Sequence, residues 1–264
     1  MKIGFIGTGN MAQAMIGGII KKGQVTTDQI IGSDVSDICL EQVQRDYHIQ
    51  VTQDNDRVVH ESDVLFLSIK PQYYEQVIHQ IRDKVREEQL IVSIAPGKTI
   101  SWLEEQFGKA CKIIRTMPNT PALVGEGMTG VCVHDSVLKE ELEIVLSLLR
   151  SFGKAEVVYE QLMDAVVSVS GSSPAYVFVL IEAMADAAVA EGMPRDLAYE
   201  FVTQAIYGSA KMVMETGRHP GELKDMVCSP GGTTIEGVQV LEETGFRSSV
   251  MQAMRVVAEK SRNM

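Results

Sequence analysis

The chain has 264 residues, 45% of them hydrophobic and 22% charged, with a formal net charge of −11. That is enough length and apolar content to bury a full core in one large domain or two modest ones. The acidity, with no Lys/Arg cluster inside it, argues against a partner bound through a phosphate backbone.

The N-terminal segment "MKIGFIGTGNMAQAM" has only a short apolar run before Gly and polar residues, so it lacks the features of a signal peptide. No stretch approaches about 18 unbroken apolar residues. Cys39, Cys111, Cys132 and Cys228 show neither CxxC spacing nor a His at ligand spacing, which predicts buried, reduced thiols and no metal. A cytoplasmic protein with neither membrane nor nucleic acid as partner is the expectation.

Along the chain, "KIGFIG" is a strand pattern, and "NMAQAMIGGIIKKG" then places Met11, Met15, Ile16 and Ile19 at helical spacing before a stop at Gly23. The alternation repeats: a strand at "QIIGSD", a helix over "CLEQVQRDY", a strand at "DVLFLSI", a helix over "YEQVIHQIRDKV". It continues with a strand at "QLIVSIA", a helix over "SWLEEQF" and a strand at "KIIRTMP". Such alternation predicts an α/β fold with a doubly wound parallel sheet. The almost wholly apolar "VLFLSI" and "LIVSI" suit strands buried on both faces. After "AEVVYE" the strand pattern stops, and helical periodicity runs from Leu162 almost to Met264. Two domains are expected, residues 1–160 and 161–264, packed together because no Pro/Gly/Ser linker separates them.

The first chemical motif is Gly7-Thr8-Gly9-Asn10-Met11-Ala12, a GxGxxA turn that follows Ile6 at the end of the first strand and opens the first helix. Glycines there let the backbone approach a pyrophosphate, and the helix N-terminus offers unpaired N–H groups. At the end of the second strand, Asp34 is able to accept from both ribose hydroxyls and repel a 2′-phosphate, which favours NADH. Ser33 and Ser36, with Asn55, are able instead to receive that phosphate, which favours NADPH. Asp34 as a cap of the next helix is the plainer alternative.

Two more strand ends face the same crevice, Ser68-Ile69-Lys70-Pro71 and the run that holds Ala95 and Pro96. Lys70 is placed to lend charge to the cofactor or to sit solvated. Asn119, in "RTMPNTPALVGEG", offers an amide to a nicotinamide or simply shapes the turn.

The runs "MPNTPALVGEGMTG", "SGSSPAYVFVLIEAMADAA" and "HPGELKDMVCSPGGTTIEGVQVLEETGFR" resemble pyrroline-5-carboxylate reductases over the whole chain. The resemblance implies an N-terminal Rossmann-like domain and a C-terminal all-helical dimerisation domain. It also implies NADPH or NADH as hydride donor to a cyclic imine, with homodimers that often join into rings.

Physically, Gly231 and Gly232 after Ser229-Pro230 expose backbone N–H groups at the start of a helix near Thr233, a receptor for a carboxylate; a glycine-rich helix cap without a ligand is the alternative. By resemblance Ser229, Thr233 and Thr234 hold the substrate, with Thr234 close to the ring nitrogen as the catalytic candidate. Ser172, within "SGSS", forms the facing wall or caps the following helix, and Glu160 at the domain junction faces the substrate. A β-hydroxyacid dehydrogenase would need a helical Lys with Asn one turn on, but Lys211 is followed by Glu215. A non-catalytic nucleotide sensor would have no use for the "SPGGTT" loop.

Overall fold

Four short apolar runs become the centre of a sheet: β1 (Ile3–Ile6), β2 (Ile30–Ser33), β4 (Val64–Leu67) and β5 (Leu90–Ser93) are buried at every position. The computed structural model describes residues 1–264. β3 (Gln50–Thr52), β6 (Lys112–Met117), β7 (Gly127–Val133) and β8 (Gly153–Val157) complete eight strands in the order β3-β2-β1-β4-β5-β6-β7-β8. All neighbours are parallel except β6 and β7.

Helices cover both faces. On one side α1 (Asn10–Lys21), α2 (Asp37–Tyr47) and α6 (Lys139–Leu149) pack Met15, Ile16, Val43 and Leu149 around Phe5 and Phe66, whose rings stack at 4.8 Å. On the other, α3 (Asn55–Glu61), α4 (Tyr74–Ile81) and α5 (Ile100–Phe107) bring Val58, Ile78 and Leu103 against Leu65 and Leu67. The register aligns Ile6 with Ser33 and with Leu67, and Leu67 with Ser93, so four strands end in one row. Between β1 and β4 the strand order reverses, and there the crevice opens.

The antiparallel β7 departs from the expected all-parallel sheet. Its run "GMTGVCV" carries two glycines and a threonine in place of a continuous apolar stretch. Both glycines answer to packing: a Cβ on Gly127 would lie 2.8 Å from the Phe152 carbonyl oxygen, and one on Gly130 would lie 2.6 Å from Val166 Cγ1; across the β7–β8 pair, a Cβ on Gly153 would lie 2.0 Å from the Gly127 carbonyl oxygen.

The chain divides into two compact units, Met1–Ser172 with Val257–Met264, and Ser173–Val256. In the first, α7 (Met163–Val166) runs into one π-helical turn, Val167–Gly171. Ser261 is buried and donates to Asp164 Oδ1 at 2.6 Å, and Met264 packs against the backbone of Gly97, whose φ is +73°. The second unit comprises α8 (Ser173–Ala190), α9 (Arg195–Thr216), α10 (Pro220–Val227), α11 (Thr233–Glu243) and most of α12 (Phe246–Arg262).

Helix α8 is apolar nearly all round, yet only Ala185 on it is buried; Phe178 and Val179 are exposed. The helical run Glu160–Ala190 is long and apolar enough by composition to cross a membrane. All four cysteines are free: Cys111 and Cys132 are buried, Cys39 and Cys228 half-buried. Burial pushes the Cys132 thiol up to about 12, so it is inert as a nucleophile.

Candidate active site

The two glycines of the turn after β1 differ in what constrains them. Gly7 has φ +93°, and a Cβ there would stand 2.6 Å from the Ser68 carbonyl oxygen, so the fold itself demands glycine. Gly9, the N-cap of α1, has φ −70° and ψ −174°, which any residue adopts, and a Cβ on it would meet nothing within 4 Å. No side chain caps α1, so the N–H groups of Asn10, Met11 and Ala12 are left without a protein acceptor. A cradle of this kind, open above Gly9, fits a pyrophosphate.

Asp34 clamps that turn. Its Oδ2 accepts from the Thr8 N–H at 2.8 Å and the Thr8 hydroxyl at 3.3 Å, and its Oδ1 accepts from the Ser36 N–H at 3.0 Å. The cap of α2 is Ser36, which accepts from the Cys39 N–H. Ser33 is buried and donates to Asn55 Oδ1 at 2.7 Å, and Asn55 in turn donates to Gln80. Ser33, Asp34, Asn55 and Gln80 line a cavity of about 340 Å³ with Ile6, Gly7, Ile69 and Tyr73.

A second cavity, of about 320 Å³, lies over the next strand ends and is lined by Gly9, Asn10, Met11, Ser68, Lys70, Ala95, Pro96 and Met117 among others. Ser68 braces it by donating to the Gly7 carbonyl at 2.7 Å. Lys70 is exposed and caps the short turn Pro71–Tyr73 through its backbone.

The ends of β4 and β5 are joined by Tyr74, which the sequence did not single out. Its hydroxyl donates to the Leu67 carbonyl and accepts from Ser93 Oγ and the Ile94 N–H, each at 3.2 Å. Complete burial pushes this phenol up to about 12, partly offset by those two donors. Tyr74→Phe leaves the buried Ser93 hydroxyl without its acceptor, and the Leu67 carbonyl and Ile94 N–H with only their mutual 3.4 Å bond. A loss of about 1–3 kcal/mol in chemical denaturation is expected, and an unchanged midpoint would show that the junction tolerates it.

Asn119 is buried and committed at both ends of its amide, donating to the Ser170 carbonyl at 2.9 Å and accepting from the Met128 N–H at 2.8 Å. A Cβ on Gly171 would lie 2.9 Å from Met117 Cε, so the "SGSS" turn abuts a residue that lines the second cavity. Ser172 ends the π-helical turn, its N–H on the Val167 carbonyl. Glu160 accepts on Oε1 from the Ile100 N–H at 2.8 Å and from Arg115 Nη1 at 2.9 Å. Arg115 is almost wholly buried, so Glu160 is the counter-charge of a core cation. Glu160 lines cavities apart from the two at the glycine turn.

In the helical unit, Gly231 takes φ +67°, and the Gly232 N–H closes a turn on the Ser229 carbonyl at 3.0 Å. A Cβ on Gly232 would fall 2.4 Å from Ser229 Oγ, so the serine hydroxyl sits directly over the N-cap of α11. No side chain caps that helix, and Thr233 and Thr234 in its first turn are exposed.

A mostly parallel, doubly wound sheet with an uncapped glycine turn at its switch point defines a Rossmann-like dinucleotide-binding oxidoreductase. A family model described as pyrroline-5-carboxylate reductase dimerisation matches residues 160–264, and one described as NADP oxidoreductase coenzyme F420-dependent matches residues 2–97. Pyrroline-5-carboxylate reductase of Escherichia coli is 51% identical over 263 residues, covering 100% of this chain and 98% of the relative; that of Methanosarcina acetivorans is 44% identical over 100% and 97%. The crystal structure of Plasmodium falciparum pyrroline carboxylate reductase with NADP bound superposes with a TM-score of 0.93 at 32% identity, covering 100% and 97% of the two chains. The chain belongs to the pyrroline-5-carboxylate reductase family.

Proposed function

We propose that this protein reduces 1-pyrroline-5-carboxylate to L-proline with NADPH or NADH, the last step of proline biosynthesis. Full-length identity to reductases of that name supports the reaction. The observation that carries the site is the pairing, in one chain, of an open dinucleotide cradle with a second uncapped helix N-terminus framed by Ser229 and Gly231. The sheet unit takes the cofactor and the C-terminal helices take the substrate and a second subunit. The reduced nicotinamide, when bound, supplies the hydride.

The protein has little covalent chemistry to do, because a protonated cyclic imine is already electrophilic at its C=N carbon. Backbone N–H groups after Gly232, with the Ser229 and Thr233 hydroxyls, hold the substrate carboxylate without a fixed cation. Thr234 places its hydroxyl at the ring nitrogen and supports the protonated state. The walls, including Ser172, orient the ring and exclude water. Glu160 belongs to this reading only as the residue that holds Arg115 and the start of α5 in place.

Purified protein is expected to consume reduced nicotinamide only when pyrroline-5-carboxylate is supplied. Equal or faster turnover of a 2-hydroxy or 3-hydroxy acid with oxidised cofactor would overturn the assignment. Thr234→Ala is expected to lower kcat on the order of 10-fold or more, about 1.4 kcal/mol of transition-state stabilisation, with cofactor binding unchanged. A kcat equal to that of the parent removes Thr234 from the mechanism.

The dimerisation domain makes the protein an oligomer. A homodimer through the C-terminal helices, extended into a ring of dimers, is the assembly we propose. A net charge of −11 and four unpaired cysteines suit a cytoplasmic enzyme with no nucleic-acid or membrane partner.

A further inference from the structure

Resting on that reading, we propose that Asp34 makes this enzyme selective for NADH over NADPH. The cavity beside the end of β2, where the adenosine ribose of a Rossmann cofactor lies, is lined by one carboxylate and by no Lys, Arg or His. A 2′-phosphate there carries nearly two negative charges and calls for cations or free donors. Of the two serines at this strand end, Ser33 is buried and already spent on Asn55, whose amide is spent on Gln80, and Ser36, the cap of α2, does not line the cavity.

Asp34 is also unable to turn aside. Its two oxygens hold the Thr8 N–H, the Thr8 hydroxyl and the Ser36 N–H, so swinging it away from a phosphate would release the glycine turn on which the pyrophosphate rests. The clamp and the selectivity are one device. Oδ1 accepts only from Ser36 and retains a lone pair for a ribose hydroxyl, so an unphosphorylated ribose is accommodated where a phosphate is repelled.

The test compares the two cofactors on the same preparation, by nicotinamide fluorescence titration without substrate and by kcat/KM with pyrroline-5-carboxylate. NADH is expected to be favoured by at least about tenfold in both. Asp34→Asn keeps a carbonyl oxygen for the Thr8 N–H but removes the charge, and is expected to shift the NADPH-to-NADH ratio upward by about tenfold. Working with a ratio cancels any general loss of folded protein.

Equal or tighter binding of NADPH by the parent protein overturns the proposal, and so does an unchanged ratio in Asp34→Asn. Absence of pyrroline-5-carboxylate turnover would instead sink the reductase reading while leaving the binding ratio to be judged separately.

Discussion

Gly9→Val is expected to weaken binding of the reduced cofactor by about 100-fold or more while leaving the melting temperature of the protein where it was. The backbone at Gly9 lies in the extended region that valine favours, and a Cβ there meets no protein atom within 4 Å. Neither strain nor packing therefore calls for glycine. What a valine would occupy is the space above the N-terminus of α1, denying a phosphate its approach to two or three N–H groups. Each such charged hydrogen bond is worth about 1.5–3 kcal/mol, so losing even two gives the stated factor. Gly7→Ala makes the contrast: with φ +93° and the Ser68 carbonyl 2.6 Å from the new atom, it is expected to lower the melting temperature itself. Fluorescence titration beside thermal melts separates the two, and undiminished affinity in Gly9→Val would mean that the phosphates lie elsewhere.

Ala187→Arg is expected to turn the oligomer into monomers. Within one chain Ala187 is exposed, so an arginine there has room and its charge stays in water. Helix α8 as a whole is apolar, with Phe178 61% and Val179 65% exposed, and a helix of that composition is stable in water only when something covers it. If a second copy covers it, an unpaired guanidinium is driven into the contact at about 3–5 kcal/mol, a loss of 100-fold or more in association. Light scattering at micromolar concentration reads the result. A variant of unchanged mass places the contact on another face of the unit. A folded, active monomer of the unmutated protein would remove the interface altogether.

The parts of this fold that sequence reading captured are those where burial is uniform. β1, β2, β4 and β5 have no solvent side, and their residues say so. β3 did not register because "QVT" is three half-buried residues at the sheet edge. β7 was hidden by glycines whose reason is the proximity of Val166 and of the Gly127–Gly153 backbone crossing, neither of which is local in sequence.

The glycine turn and the "SPGG" loop were legible for the opposite reason, since Gly7 and Gly231 answer to their own positive φ. From sequence Asp34 reads as ribose reader or as helix cap, and its bond to Thr8, 26 residues away, is what the sequence has no means of displaying. Tyr74 gave no motif at all. Its role follows from β4 and β5 lying side by side, as that of Glu160 follows from a partner 45 residues upstream.

The return of residues 257–264 to the sheet unit has a consequence for how the protein is made. The sheet's strands all emerge from the ribosome before the helical unit does, yet the last pieces of the same unit emerge after it. Until then Asp164 lacks the hydroxyl of Ser261, and the loop at Gly97 lacks Met264 beneath it. The loop that carries Ala95 and Pro96 to the second cavity therefore gains this support only when residues 257–264 fold back onto it. A nascent chain stalled before residue 257 should hold its central strands while its nucleotide groove is still slack.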